Sequence, residues 1–81
     1  MRVKILNNNQ EFIVNSPFEF VQKFWEDSFQ NESSMVEFML NYARRAVVNN
    51  NEDIRATSVD EFFEDLLKLK HIEIVHEIGL N

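Results

Sequence analysis

Apolar residues recur along this chain with two different periods, and the changes of period divide it into elements. Near the start, Val3 and Ile5 alternate with Arg2 and Lys4, and Phe12 and Val14 alternate with Glu11 and Ile13. A period of two is that of a strand with one face buried. The stretch Asn7-Asn8-Asn9-Gln10 between them reads as a hairpin loop, because asparagine accepts a left-handed backbone more readily than most residues. The segment His71-Ile72-Glu73-Ile74-Val75-His76 alternates again and predicts a third strand paired with this hairpin.

Between the strands the period lengthens to that of a helix, three times. Ser16-Pro17-Phe18-Glu19, Ser34-Met35-Val36-Glu37 and Ser58-Val59-Asp60-Glu61 each read Ser-x-x-Glu. In a capping box the serine side chain accepts from the third residue's N–H, and the glutamate returns to the serine's own N–H. Pro17 falls at the first helical position, where its missing N–H costs nothing. The first helix is expected over about 17–30, with Phe18, Val21, Trp25 and Phe29 as its apolar stripe and Phe20 and Phe24 beside it. Glu19, Lys23 and Glu26 take the opposite face. The second is expected over about 35–48, with Met35, Phe38, Met39, Tyr42, Ala43 and Ala46 inward, extended by Leu40 and Val47. So wide an apolar face predicts burial from two directions. The short link 31–33 implies an αα-hairpin with the first helix. The third, over about 59–69, buries Val59, Phe62, Phe63, Leu66 and Leu69 and leaves Asp60, Glu61, Glu64, Asp65 and Lys68 outside. Residues 49–57 form a polar loop, with an extended piece at Ile54.

The order is therefore β-β-α-α-α-β in one small α+β domain. An N-terminal hairpin and a C-terminal strand form an antiparallel sheet, and three helices cover it, since two or three strands alone are unstable in water. Eighty-one residues bury only roughly 60–65% of the surface of the unfolded chain. Eight Phe, one Trp and one Tyr offset that handicap, because each aromatic buries on the order of 150–250 Å².

Charge and residue usage narrow the chemistry. Fourteen acidic residues against eight basic ones give a net charge of −6, which opposes direct nucleic-acid binding and attraction to anionic membrane surfaces. No apolar run approaches the ~20 residues of a membrane span, and no secretory leader is recognisable. The chain has no cysteine, which excludes disulfides and thiol chemistry and suits a reducing, cytoplasmic setting. Its Asn, Lys, Ile and Phe usage fits an A/T-rich bacterial, phage or mobile-element genome.

Signatures of catalysis are thin. The single glycine, Gly79, rules out a glycine-rich phosphate loop. The only histidines, His71 and His76, lie five apart near a strand and so on opposite faces. A metal pair of either with Glu73 or Glu77 would be a common accident. No catalytic residue, metal or cofactor is expected.

Two surfaces are candidates for binding. The acidic side of the third helix carries Asp60, Glu61, Glu64 and Asp65, whose separations approach the phosphate spacing of an extended nucleic acid. Glu26, Asp27, Glu32, Glu52 and Asp53 could extend it. Phe20 and Phe24, if left outside the core, would make an apolar interface, including one between two copies of the chain. Arg44 and Arg45, with Arg55, form a basic counter-candidate, although cations near a helix C-terminus are favoured by the dipole alone. The expectation is a small acidic protein-interaction module that binds a protein partner and is not an enzyme. The alternative is an acidic inhibitor that presents carboxylates in place of phosphates to a basic nucleic-acid-binding protein.

Overall fold

The computed structural model describes residues 1–28 and 32–76. Its elements are β1 (Arg2–Ile5), β2 (Gln10–Ile13), α1 (Pro17–Glu26), α2 (Met35–Asn50), α3 (Val59–Lys68) and β3 (Ile72–Val75). The expected order β-β-α-α-α-β is found. Both neighbours of β1 run antiparallel to it, giving an open sheet in the order β2-β1-β3. Asn9 closes the hairpin at a φ of 61°, the left-handed conformation that its side chain tolerates.

Alternation decides which side of the sheet is covered. Val3, Ile5 and Ile72 point into the core with Phe12 and Ile74 packed against it. On the other side Lys4 stands between Glu11 of β2 and Glu73 of β3, while Ile13 and Val75 flank Arg2. Helices α1 and α3 pack on each other and on the strands, and α2 packs on α1.

Each helix begins at the expected serine, whose Oγ accepts from the backbone N–H of Glu19, Glu37 or Glu61 at 3.1 Å. The reciprocal half of the capping box differs. Glu19 accepts from the Asn15 N–H, Glu37 from the Ser33 hydroxyl and Glu61 from the Thr57 hydroxyl, so each reaches one residue further back than the serine.

The face buried by α1 is rotated from the one expected. Phe20 and Val21 are fully enclosed, Phe24 is half-buried, and Phe18 is 55% exposed. The rotation follows from ring packing: Phe20 meets Phe12, Phe24 and Phe63 at centroid distances of 6.0, 5.4 and 5.7 Å. Phe24 continues to Phe38 and Tyr42 at 5.2 and 5.5 Å, so α1 joins β2 to α2 and α3 through one chain of aromatic contacts. Phe18 meets no ring among the described residues. Phe29 and Gln30, placed in this helix by the sequence, lie outside the described residues.

In α3, Phe62, Phe63 and Leu66 are buried as expected. Asp65 is buried too, at 6% exposure, although the sequence pattern put it outside. Its carboxylate is drawn inward by Arg55, as described below.

Candidate functional site

The acidic side of α3 is organised around one arginine. The Arg55 guanidinium contacts Glu61 through Nη1 at 3.2 Å, Glu64 through Nη2 at 3.1 Å and Asp65 through Nε at 3.0 Å. Nη2 also donates to Asp65 Oδ1, and the Arg55 backbone N–H donates to Asp65 Oδ2 at 2.8 Å. Three of the four carboxylates singled out in the sequence therefore share one counter-charge, and only Asp60 stands apart from Arg55. The hydrogen bonds from Arg55, side chain first and then backbone, hold Asp65 below the usual carboxylate range; burial opposes them. The same contacts push the Arg55 guanidinium up. Asp65 is thus a structural anchor for the loop that ends α2's return to α3. Arg55 serves these carboxylates and does not build a basic patch with Arg44 and Arg45.

Glu32, expected on the acidic surface, is buried. Its Oε2 accepts from the Asn41 amide at 3.4 Å and lies 4.0 Å from Arg45 Nη1, and its carbonyl accepts from the Trp25 indole at 3.2 Å. Phe20, one half of the expected apolar interface, has no exposed surface, and Phe24 is half enclosed by three rings. That face of α1 is core because the rings of α2, α3 and β2 fill it. A docking surface there is not available.

His71 is held between α2 and the segment that follows it. Its Nδ1 lies 2.6 Å from the Tyr42 hydroxyl and its Nε2 2.6 Å from Glu52 Oε1. With a neutral ring, the tyrosine donates to Nδ1 and the Nε2–H donates to Glu52. Burial foremost, with Glu52 adding to it and Arg45 opposing, pushes the Tyr42 hydroxyl up to about 12. A cleft of about 230 Å³ opens beside Tyr42 and His71, lined also by Arg45, Ala46, Asn49, Asn50 and Asn7. For acid–base work a ring nitrogen must reach a substrate. Both are committed to Tyr42 and Glu52 here, and the tyrosine holds its proton tightly. The arrangement fastens α2, the segment after it and the start of β3 together. His76 is exposed beyond β3. Glu77 lies outside the described residues, and among those described no three His, Asp or Glu side chains are grouped to hold a metal ion.

Leu40 and Val47, which sequence reasoning had added to the inward side of α2, remain open, and Val36 beside them is open too. Val36, Leu40 and Val47 of α2 are 57, 49 and 52% exposed. With Ala43 they are spaced four, three and four residues apart, which keeps them within about 60° of arc on a helix of ~3.6 residues per turn. The inward side of α2, with Phe38 opposite the row and Met39 and Ala46 along one of its edges, is in the core. The expectation of burial from two directions thus meets one covered side, packed on α1 and reaching Phe62 of α3 through Tyr42, and one bare one. The signal was present in the width of the apolar arc, but spacing alone does not say which half meets the rest of the chain. The Tyr42–His71–Glu52 contact had no local signal, because its members are 29 and 19 residues apart.

No helix among the described residues is long and apolar enough to cross a membrane. No family model, curated protein or solved structure matches the chain significantly.

Proposed function

We propose that this chain is a protein-interaction module that binds a partner through the bare face of α2 and catalyses no reaction. The observation that carries the reading is the row of exposed Val36, Leu40 and Val47, with half-buried Ala43 between them, on a helix whose other side is core. Single apolar residues on a surface are ordinary, but a contiguous row at helix-packing spacing is the pattern of a helix with a second neighbour. Burying a Leu or Val side chain fully is worth about 1.5–3 kcal/mol, so covering the exposed halves of this row supplies a few kcal/mol of binding. The engagement of His71 on both nitrogens favours binding over catalysis. The absence of cysteine suits a partner met in a reducing compartment such as the cytoplasm.

The carboxylate-for-phosphate alternative has less support. Arg55 neutralises part of the α3 cluster and Asp65 turns inward, so the face offers fewer free charges than its sequence suggests.

A photoreactive amino acid in place of Leu40 tests the reading in cells expressing the full chain, with one in place of Lys68 on α3 as control. A protein adduct formed from position 40 and not from position 68 is the expected result. No adduct from position 40, in a variant that folds and accumulates normally, would refute it.

A further inference from the structure

We propose that the partner covering α2 is a second copy of this chain, docked as an antiparallel pair of α2 helices about a two-fold axis. This rests on the reading of α2 as an interaction surface and names its occupant. The spacing four-three-four is that of alternating core positions in a two-helix seam. In an antiparallel pair whose axis passes between Asn41 and Tyr42, Val36 lies level with the partner's Val47, and Leu40 with the partner's Ala43. Each layer then occurs twice by symmetry. The Leu40 side chain fills the space that the small Ala43 leaves, and the backbones can approach closely at the centre.

Charge selects this direction over the parallel one. Glu37 and Arg44 border the same edge of the row, seven residues apart, and both are exposed. Glu37 accepts a hydrogen bond from Ser33, Arg44 donates one to Asn41, and neither has an ion-pair partner among the described residues. In antiparallel packing like edges face each other, which sets Glu37 against the partner's Arg44 and Arg44 against the partner's Glu37. In parallel packing that edge would face the row's other edge. There stand Met39 and Ala46, both 3% exposed within the chain's own core, so both charges would go unmatched. Parallel packing would also stack Ala43 on the partner's Ala43 and leave a void. The two-fold pair satisfies the apolar row and both free charges together.

The seam is short, about 16 Å from Val36 to Val47 at ~1.5 Å per residue. It belongs with small interfaces, and the dissociation constant is expected in the range of about 1–100 μM. Sedimentation equilibrium of the purified chain from about 1 to 500 μM brackets that range. The expected result is a monomer that becomes a dimer, with Leu40→Glu shifting the midpoint at least about tenfold upward while its thermal melt at low concentration is unchanged. Glu37→Arg and Arg44→Glu should each weaken self-association, whereas an equimolar mixture of these two variants should form a heterodimer, because each unlike pair restores Glu against Arg. Since the chain has no cysteine, single thiols report direction. Val36→Cys mixed with Val47→Cys should give the mixed disulfide in preference to either homodisulfide.

A chain that stays monomeric to the highest concentration would overturn this inference. An adduct from position 40 with a protein of a different mass would then leave the interaction reading standing without it. Self-association unaffected by Leu40→Glu, or Val36→Cys linking chiefly to itself, would also overturn the antiparallel α2 pair.

Discussion

His71 and Glu52 meet at 2.6 Å, and each directly follows a left-handed residue that closes a helix: Lys70, with φ 65°, and Asn51, with φ 55°. Beyond α3, Lys70 N–H returns to Leu67 and His71 N–H to Leu66, the paired bonds of a Schellman motif. Beyond α2, Glu52 N–H returns to Ala46. The two turns throw their side chains toward each other, and Tyr42 completes the contact from within α2. Two helix ends are thereby tied together by a single imidazole.

Tyr42 gives this tie an alkaline signature. Its hydroxyl, ordinarily at 10, is pushed to about 12 in the folded protein. The folded state therefore holds that proton more tightly than the unfolded chain does. The associated stability is complete below about pH 10 and is lost as pH rises toward about 12, a contribution on the order of 2 kcal/mol. Tyr42→Phe should cost about 1–2 kcal/mol at neutral pH, by leaving His71 Nδ1 without its donor, and should flatten the decline above about pH 10. Urea midpoints measured across that range for both proteins check this. Because Tyr42 is the only tyrosine, its ultraviolet ionisation band titrates without overlap from another. A midpoint near the ordinary value would contradict the buried geometry.

Lys70 pays for its position with backbone strain, since a residue bearing a Cβ costs about 1–2 kcal/mol in the left-handed region. Glycine there is free of that clash, although it loses more chain entropy on folding. Lys70→Gly should raise stability by about 0.5–1 kcal/mol, seen as a melting point a few degrees higher. Lys70→Val should lower it, because a β-branched side chain suits this conformation least. A destabilised glycine variant would show that the Lys70 side chain matters more than its backbone.

The elements were legible in the chain because their signals are local. Serine caps fixed the helix starts at Ser16, Ser34 and Ser58, and alternation fixed the strands and which face of β1 turns inward. What remained illegible depends on contacts between distant segments. Nothing near Phe18 or Phe20 tells which ring will find Phe12 and Phe63 waiting. Asp65 reads as a solvated helix residue until Arg55, ten positions earlier, folds back over it. Leu40 and Val47 read as core because their spacing is that of core, and only the arrangement of the other helices shows that nothing in the described chain covers them.

The Arg55–Asp65 contact predicts an acid limb. Hydrogen bonds from Arg55 hold Asp65 below its ordinary value, so the folded state releases that proton more readily than the unfolded chain. The stability it contributes is present above about pH 4 and is lost as pH falls through the lower folded value. Asp65→Asn should cost about 1–3 kcal/mol at pH 7, because it weakens a charge-assisted bond and leaves part of a buried network unmatched. Glu64→Gln, at an exposed partner of the same arginine, should cost less than about 1 kcal/mol. Thermal melts at pH 7 and at pH 3 compare them, and the gap between Asp65→Asn and the parent should narrow at the lower pH. Equal costs at the two positions would mean that the cluster is an ordinary solvated surface.

The rotation of α1 is tested by two phenylalanines two residues apart. Phe20 is wholly enclosed and meets three other rings, so Phe20→Leu removes ring contacts and leaves a void that the neighbours fill only in part. The expected loss is about 1–2 kcal/mol, a large share of the stability of a domain this small. Phe18 is more than half exposed at the start of the helix and makes no ring contact among the described residues, so Phe18→Leu should stay within about 0.5 kcal/mol of the parent. Chemical unfolding of both variants at low protein concentration, where any α2-mediated pairing has dissociated, isolates the effect on the monomer fold. A larger loss at Phe18 than at Phe20 would mean that α1 buries the stripe Phe18, Val21 and Trp25 after all, and that Phe20 and Phe24 are the ones facing outward.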